Sequence, residues 1–100
     1  MPVAMHKFLL QTGKNIVTAG SRICAPNCHV AVQAQELRLW AQVEIPKGAD
    51  PLHSNAVDNE VYVALTGEAL PYASERCQLI STVLMNGGGF VVHAFLIHEA

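Results

Sequence analysis

Cysteine, histidine and carboxylate side chains bind metals and move protons, and few of them fall close together in this chain. The tightest group is Cys24-Ala25-Pro26-Asn27-Cys28-His29. Thiolates and imidazoles a few residues apart on a turn are the usual way to hold zinc. Further ligands would have to come from Cys77, His53, His93 or His98, which form no second close pair. His93 and His98 are separated by an odd number of steps in a strand-like segment, so they point to opposite faces. The pair therefore reads as two small loop residues, and neither a metal nor a cofactor is expected. Asp50, His53, Asp58 and Glu60 share a loop-like stretch where a cation could sit, but solvated charge accounts for them. Asn86-Gly87-Gly88-Gly89 has the composition of a phosphate cradle. Such cradles use a helix N-terminus, and here a strand pattern follows, so the run reads as a turn.

His93 shares a strand face with Val91, Phe95 and Ile97. A histidine on an apolar face is usually a hydrogen-bonded core residue. Its functional reading is a general base or ligand contact. No Ser or Asp nearby in sequence completes a nucleophilic set, although folding can bring Glu44 or Tyr62 to it. Trp40 stands beside Arg38 and Gln42 on the polar side of an alternating segment. Either a second sheet covers that side and Trp40 is core, or Trp40 anchors an interface or stacks on a ligand. Trp40, Arg38, Tyr62, His93 and Phe95 are the candidate binding and interface residues. No catalytic residue is expected, and a non-enzyme is the favoured reading.

The elements that must position these residues are strands. Leu37, Leu39, Ala41, Val43 and Ile45 alternate with Arg38, Trp40, Gln42 and Glu44, the period of a half-buried strand. Val30, Val32 and Ala34 alternate in the same way just before it. A turn at Gln35-Glu36 sets Ala34 opposite Leu37, Val32 opposite Leu39 and Val30 opposite Ala41, so both apolar faces coincide. Gln-Glu is poor tight-turn chemistry, and a slightly longer loop also fits. Pro46 to Asn59 is rich in turn residues and reads as a long loop. Val61, Val63 and Leu65 then alternate up to Thr66-Gly67, and a helical turn fits Tyr72 to Arg76. Leu79–Met85 and Phe90–His98 are apolar on both faces and flank the glycine run, as the arms of a hairpin. His6–Leu10 and Asn15–Thr18 are short strands about a turn at Thr12-Gly13-Lys14. The expected fold is all-β, an antiparallel β-sandwich or small barrel of about seven strands with at most one short helical turn. One domain spans residues 1–100.

Bulk composition narrows the function classes. Apolar residues make up 51% of the chain and charged residues 14%, against about 25% charged in a typical soluble domain. A domain of this size has much surface and few charges to cover it, so shared apolar surface with another copy of the chain is expected. Net charge is −2, and the basic residues Lys7, Lys14, Arg22, Arg38, Lys47 and Arg76 are scattered. That pattern argues against nucleic acid, which calls for a basic patch. No apolar stretch approaches the roughly 20 residues of a membrane-spanning helix. Phe8-Leu9-Leu10 is too short for the apolar part of a signal peptide. Three cysteines do not pair into a full framework, and the expected compartment is the cytoplasm.

Four blocks in a fixed order resemble a family of small uncharacterised bacterial and phage proteins. They are Val30-x-Val32-x-x-Gln35, Leu39-Trp40-Ala41-x-Val43, Thr66-Gly67-x-x-x-Pro71 and Gly88-Gly89-x-Val91-Val92-His93-x-Phe95. The match runs from Lys7 to Glu99. It departs from the family at the turn before Leu39, which lacks a glycine, and in an extra stretch around Cys24 to Cys28. The resemblance implies a compact β domain of phages and mobile elements, and it supplies no activity. The leading expectation is thus a self-associating binding module without catalysis, whose partner is its own copy, another protein or a small molecule. The alternative is a small-molecule-binding or enzymatic barrel with a pocket near His93.

Overall fold

A computed structural model describes residues 3–44 and 56–99. The inferred strand tip Ile45, most of the long loop, and with it Asp50 and His53, lie outside the described residues. Seven strands are present among those described: β1 (Val3–Leu9), β2 (Gly13–Ala19), β3 (Cys28–Gln33), β4 (Glu36–Glu44), β5 (Val57–Leu65), β6 (Cys77–Met85) and β7 (Phe90–Ile97). The long loop ends earlier than its composition implies. Asp58 and Asn59 already belong to β5, because Thr18 and Val17 of β2 pair with them.

The strands form two antiparallel sheets packed face to face. One has the order β1-β4-β3 and the other β2-β5-β7-β6. The fold is therefore a sandwich and not a closed barrel. Alternation works as expected on the inner faces: Leu37, Leu39, Ala41 and Val43 meet Val61, Val63, Val92, Ala94 and Leu96 in one buried cluster. Leu39, Ala41, Val61, Val63, Val92 and Ala94 have no accessible surface at all.

The β3–β4 turn differs by one residue from the sequence expectation. Val32 faces Leu37 and Val30 faces Leu39, so the two turn residues are Ala34 and Gln35. Both take positive φ, 52° and 66°, as a two-residue hairpin turn matching the strand twist requires. Sliding the turn by one position moves the register by two, an even step, so every side chain keeps its face. This is why the face assignment is right although the turn is displaced. The β6–β7 hairpin reverses across 86–89, where Gly87 and Gly88 hold φ of 69° and 94°.

Three short 3-10 turns are present among the described residues, at Ala25–Asn27, Ser74–Arg76 and Asn86–Gly88, against one helical turn expected from the sequence. The second falls inside the expected Tyr72–Arg76 stretch. It closes a strap, residues 66–76, with a topological cause. β5 and β6 each pair antiparallel with β7, so they run parallel to one another. The connection must therefore return along the length of the sheet. It does so over the outer face, which is why Ala64 and Ile97, both outward residues, are 2% and 5% exposed.

Candidate functional site

The five candidate residues divide between opposite sides of the sandwich. Arg38 and Trp40 sit on the outward face of β4, because Leu39 and Ala41 take the inward one. Trp40 is half-buried and does not enter the core; no second sheet among the described residues covers it. Its cross-strand neighbours are Lys7 on β1 and His29 on β3, and the His29 ring lies 6.3 Å from it, tilted by 38°. Lys7 reaches across β4 to donate to Gln33 Oε1 at 3.2 Å. Arg38 pairs with Glu36 at 2.8 Å, while its Nε is buried with no hydrogen-bond partner among the described residues.

Tyr62, His93 and Phe95 lie together on the other outward face, where Tyr62 pairs with Phe95 and Ala64 with His93. The strap passes over this group and pins it. His93 Nε2 is hydrogen-bonded to Thr66 Oγ1 at 2.7 Å and its Nδ1 to Thr82 Oγ1 at 2.9 Å. A hydroxyl is both donor and acceptor, so the ring is satisfied in either tautomer. His93 is hydrogen-bonded, but it is a half-buried residue of the outer face held by the strap and not a core residue between the sheets. Glu44, weighed above as a partner for His93, is on the outward face of the opposite sheet.

The rest of the strap is anchored by tyrosines and carboxylates. Tyr62 Oη donates to Glu68 Oε2 at 2.6 Å, and Leu65 N donates to Glu68 Oε1 at 3.1 Å. These donors, the tyrosine first, hold the Glu68 carboxyl below the usual range, and the same contact raises the Tyr62 phenol. Tyr72 Oη donates to Glu60. Burial first, then that carboxylate, pushes the Tyr72 phenol up to about 12. The Tyr72 ring meets Tyr62 edge-on at 5.7 Å, and the Arg76 guanidinium stands 5.4 Å from its centre. Arg76 Nε donates to His98 O at 2.8 Å, tying the strap to the end of β7. Glu68, Tyr72 and Arg76 are thus each engaged by a strand or by its end, as expected of a structural clamp.

Two asparagines carry most of the buried polar chemistry, and residue type did not single them out. Asn15 and Asn59 are 9% and 3% exposed on the inner face of β2 and β5. Asn59 Oδ1 accepts from Ile23 N at 3.0 Å, and its Nδ2 donates to the carbonyls of Val17, Ser21 and Val57 at 3.2–3.3 Å. Asn15 does the same at the other end of β2, with Gln11 N donating to Oδ1 at 2.9 Å. The available signal was positional: Asn59 keeps the alternation of Val61 and Val63.

Cys28 Sγ donates to Cys24 O at 3.2 Å, closing the Ala25–Asn27 turn, and all three cysteines are free thiols. Burial, and then the neighbouring Cys24, pushes the Cys28 thiol up to about 11. No group of three His, Cys, Asp or Glu side chains among the described residues is arranged to hold a metal ion. No helix among them is long and apolar enough to cross a membrane. A cleft of about 380 Å³ opens at the end of the sandwich between Leu9, Gln35, Leu37, Met85, Phe90 and Val92. A second, of about 290 Å³, lies beside Ser21, Cys24 and Glu44. Neither is lined by His93.

Residues 1–99 match the model of a family described as Domain of unknown function (DUF7352). No curated protein and no solved structure matches the chain.

Proposed function

The chain belongs to that family of unknown function, and we propose that it is a binding module that self-associates and catalyses nothing. One observation carries this reading. Nine large apolar side chains are exposed among the described residues, and Val3, Met5, Leu9, Ile16, Val32, Leu79 and Leu84 of these lie on the four edge strands. Edge strands in natural sheets are normally blunted by charge, because their unpaired amides invite another strand. Here β3 and β6 contain no Asp, Glu, Lys or Arg, and β1 and β2 carry one lysine each. The polar groups around His93 are consumed in holding the strap, which supports binding over catalysis. Three free thiols support a reducing compartment, the cytoplasm. The four resembling blocks support an origin in a phage or mobile element. Sedimentation of the purified full chain at micromolar concentration tests the proposal. An oligomer is the expected result, and a clean monomer would overturn it.

A further inference from the structure

We infer that β1 is the self-association surface and that it pairs antiparallel with β1 of a second copy about a two-fold axis at His6. This rests on the self-association proposed above and goes on to name the strand and the register. β3 and β6 pack against one another across one side of the sandwich. On the opposite side β1 and β2 are edges, and no strand lies beyond β1 among the described residues.

The phase of β1 shows which amides are free. Leu10 N donates to Leu37 O at 2.9 Å, and Phe8, His6 and Ala4 continue that phase against Leu39, Ala41 and Val43. The N–H and C=O of those residues therefore point to β4, and those of Val3, Met5, Lys7 and Leu9 point to the open edge. The same four residues face outward, with Val3, Met5 and Leu9 at 54%, 58% and 60% exposed. Free backbone and exposed apolar side chains thus coincide on the same residues.

Self-complementarity selects a second copy as the occupant. A two-fold at His6 sets Val3 opposite Leu9 and Met5 opposite Lys7, so every edge-facing residue of each copy is paired. The single charge of the strand then lies against a methionine, where the base of its hydrocarbon stem packs while its ammonium stays exposed on Gln33 Oε1. Slipping the axis to Lys7 opposes two lysines, and cross-strand like charges repel. Slipping it to Met5 gives Leu9 no partner within Val3–Leu9 of the other copy. With the axis at His6, the two three-stranded sheets become one continuous sheet.

Met5→Lys tests the register, because it places a lysine opposite the Lys7 of the other copy at an exposed site. Sedimentation equilibrium should show the dissociation constant raised at least tenfold, with an unchanged circular dichroism spectrum. Adding Lys7→Glu to Met5→Lys should restore the dimer through the new pair. His6→Cys gives a second readout: the central pair is non-hydrogen-bonded, with Cα atoms about 4.5 Å apart, inside disulfide range. It should form a reducible covalent dimer on mild oxidation that neither the wild type nor Lys14→Cys on β2 forms. A monomeric wild type would overturn self-association altogether. A wild-type oligomer indifferent to Met5→Lys and not cross-linked by His6→Cys would leave self-association standing and overturn the β1 assignment. Dissociation by Met5→Lys without rescue by Lys7→Glu would overturn the His6-centred register.

Discussion

Truncating Asn59 should unfold this protein more readily than its modest size suggests. Asn59 Oδ1 is the acceptor for Ile23 N, and Ile23 is 4% exposed. Asn59→Ala leaves that N–H without its partner, at a cost of about 1–3 kcal/mol for a buried donor. The carbonyls of Val17, Ser21 and Val57 lose their donor together. Orphaned carbonyls are tolerated better than orphaned amides, so their loss and the small void add about 1 kcal/mol. The sum is about 2–4 kcal/mol, a large part of the roughly 5–15 kcal/mol that holds such a domain folded. In thermal terms it is a fall of about 10–25 °C. Urea unfolding followed by circular dichroism and by Trp40 fluorescence measures it, with an unchanged urea slope expected. Asp58→Ala is the control one residue away. Its carboxylate accepts from Thr18 Oγ1 at an exposed site, so its loss should stay within about 0.5 kcal/mol. If Asn59→Ala costs no more than Asp58→Ala, the buried asparagine does not hold β2 and the Ile23 corner together, and the reasoning fails.

Gln35→Gly should stabilise the chain by about 1 kcal/mol, because it relieves a left-handed residue in the β3–β4 turn; thermal melting would show the gain. Trp40→Ala should leave the native circular dichroism intact and cost less in urea unfolding than Leu39→Ala, which removes a side chain with no accessible surface and should cost about 2–5 kcal/mol. Stability should decline on the alkaline side. Folding raises the Cys28 thiol from 9.0 to about 11 and the Tyr72 phenol from 10.0 to about 12. The protonated forms are favoured in the fold, so these contributions are intact below the lower values and lost as pH climbs through the upper ones. Cys28→Ser and Tyr72→Phe together should flatten that decline in a pH series of urea midpoints. Glu68 works in the opposite direction. Its lowered carboxyl contributes above 4.5 and loses that contribution as pH falls, and Glu68→Gln should remove the corresponding acid-side slope.

Leu37 to Val43 and Val61 to Val63 could be assigned to an inner face from spacing alone, because side chains alternate about a strand whatever its neighbours are. The Asn86–Gly89 reversal was equally local, since only glycine enters positive φ freely. The Ala34-Gln35 turn was not legible: no glycine marks it, and the pairing of Val30 with Leu39 imposes the strain on two ordinary residues. Trp40 shows the larger limit. Alternation puts it across the strand from Leu39, but whether water or a second sheet covers that side depends on strands far away in the chain. The same holds for His93, which is half-buried and held by the strap and not by a second sheet. That strap lies where it does because β7 inserts between β5 and β6, a choice of strand order that no local pattern records. Spacing thus defined the strands and their two faces. The long-range pairing defined which faces met, separated Trp40 and Arg38 from Tyr62, His93 and Phe95, and left β1 at the edge of its sheet among the described residues.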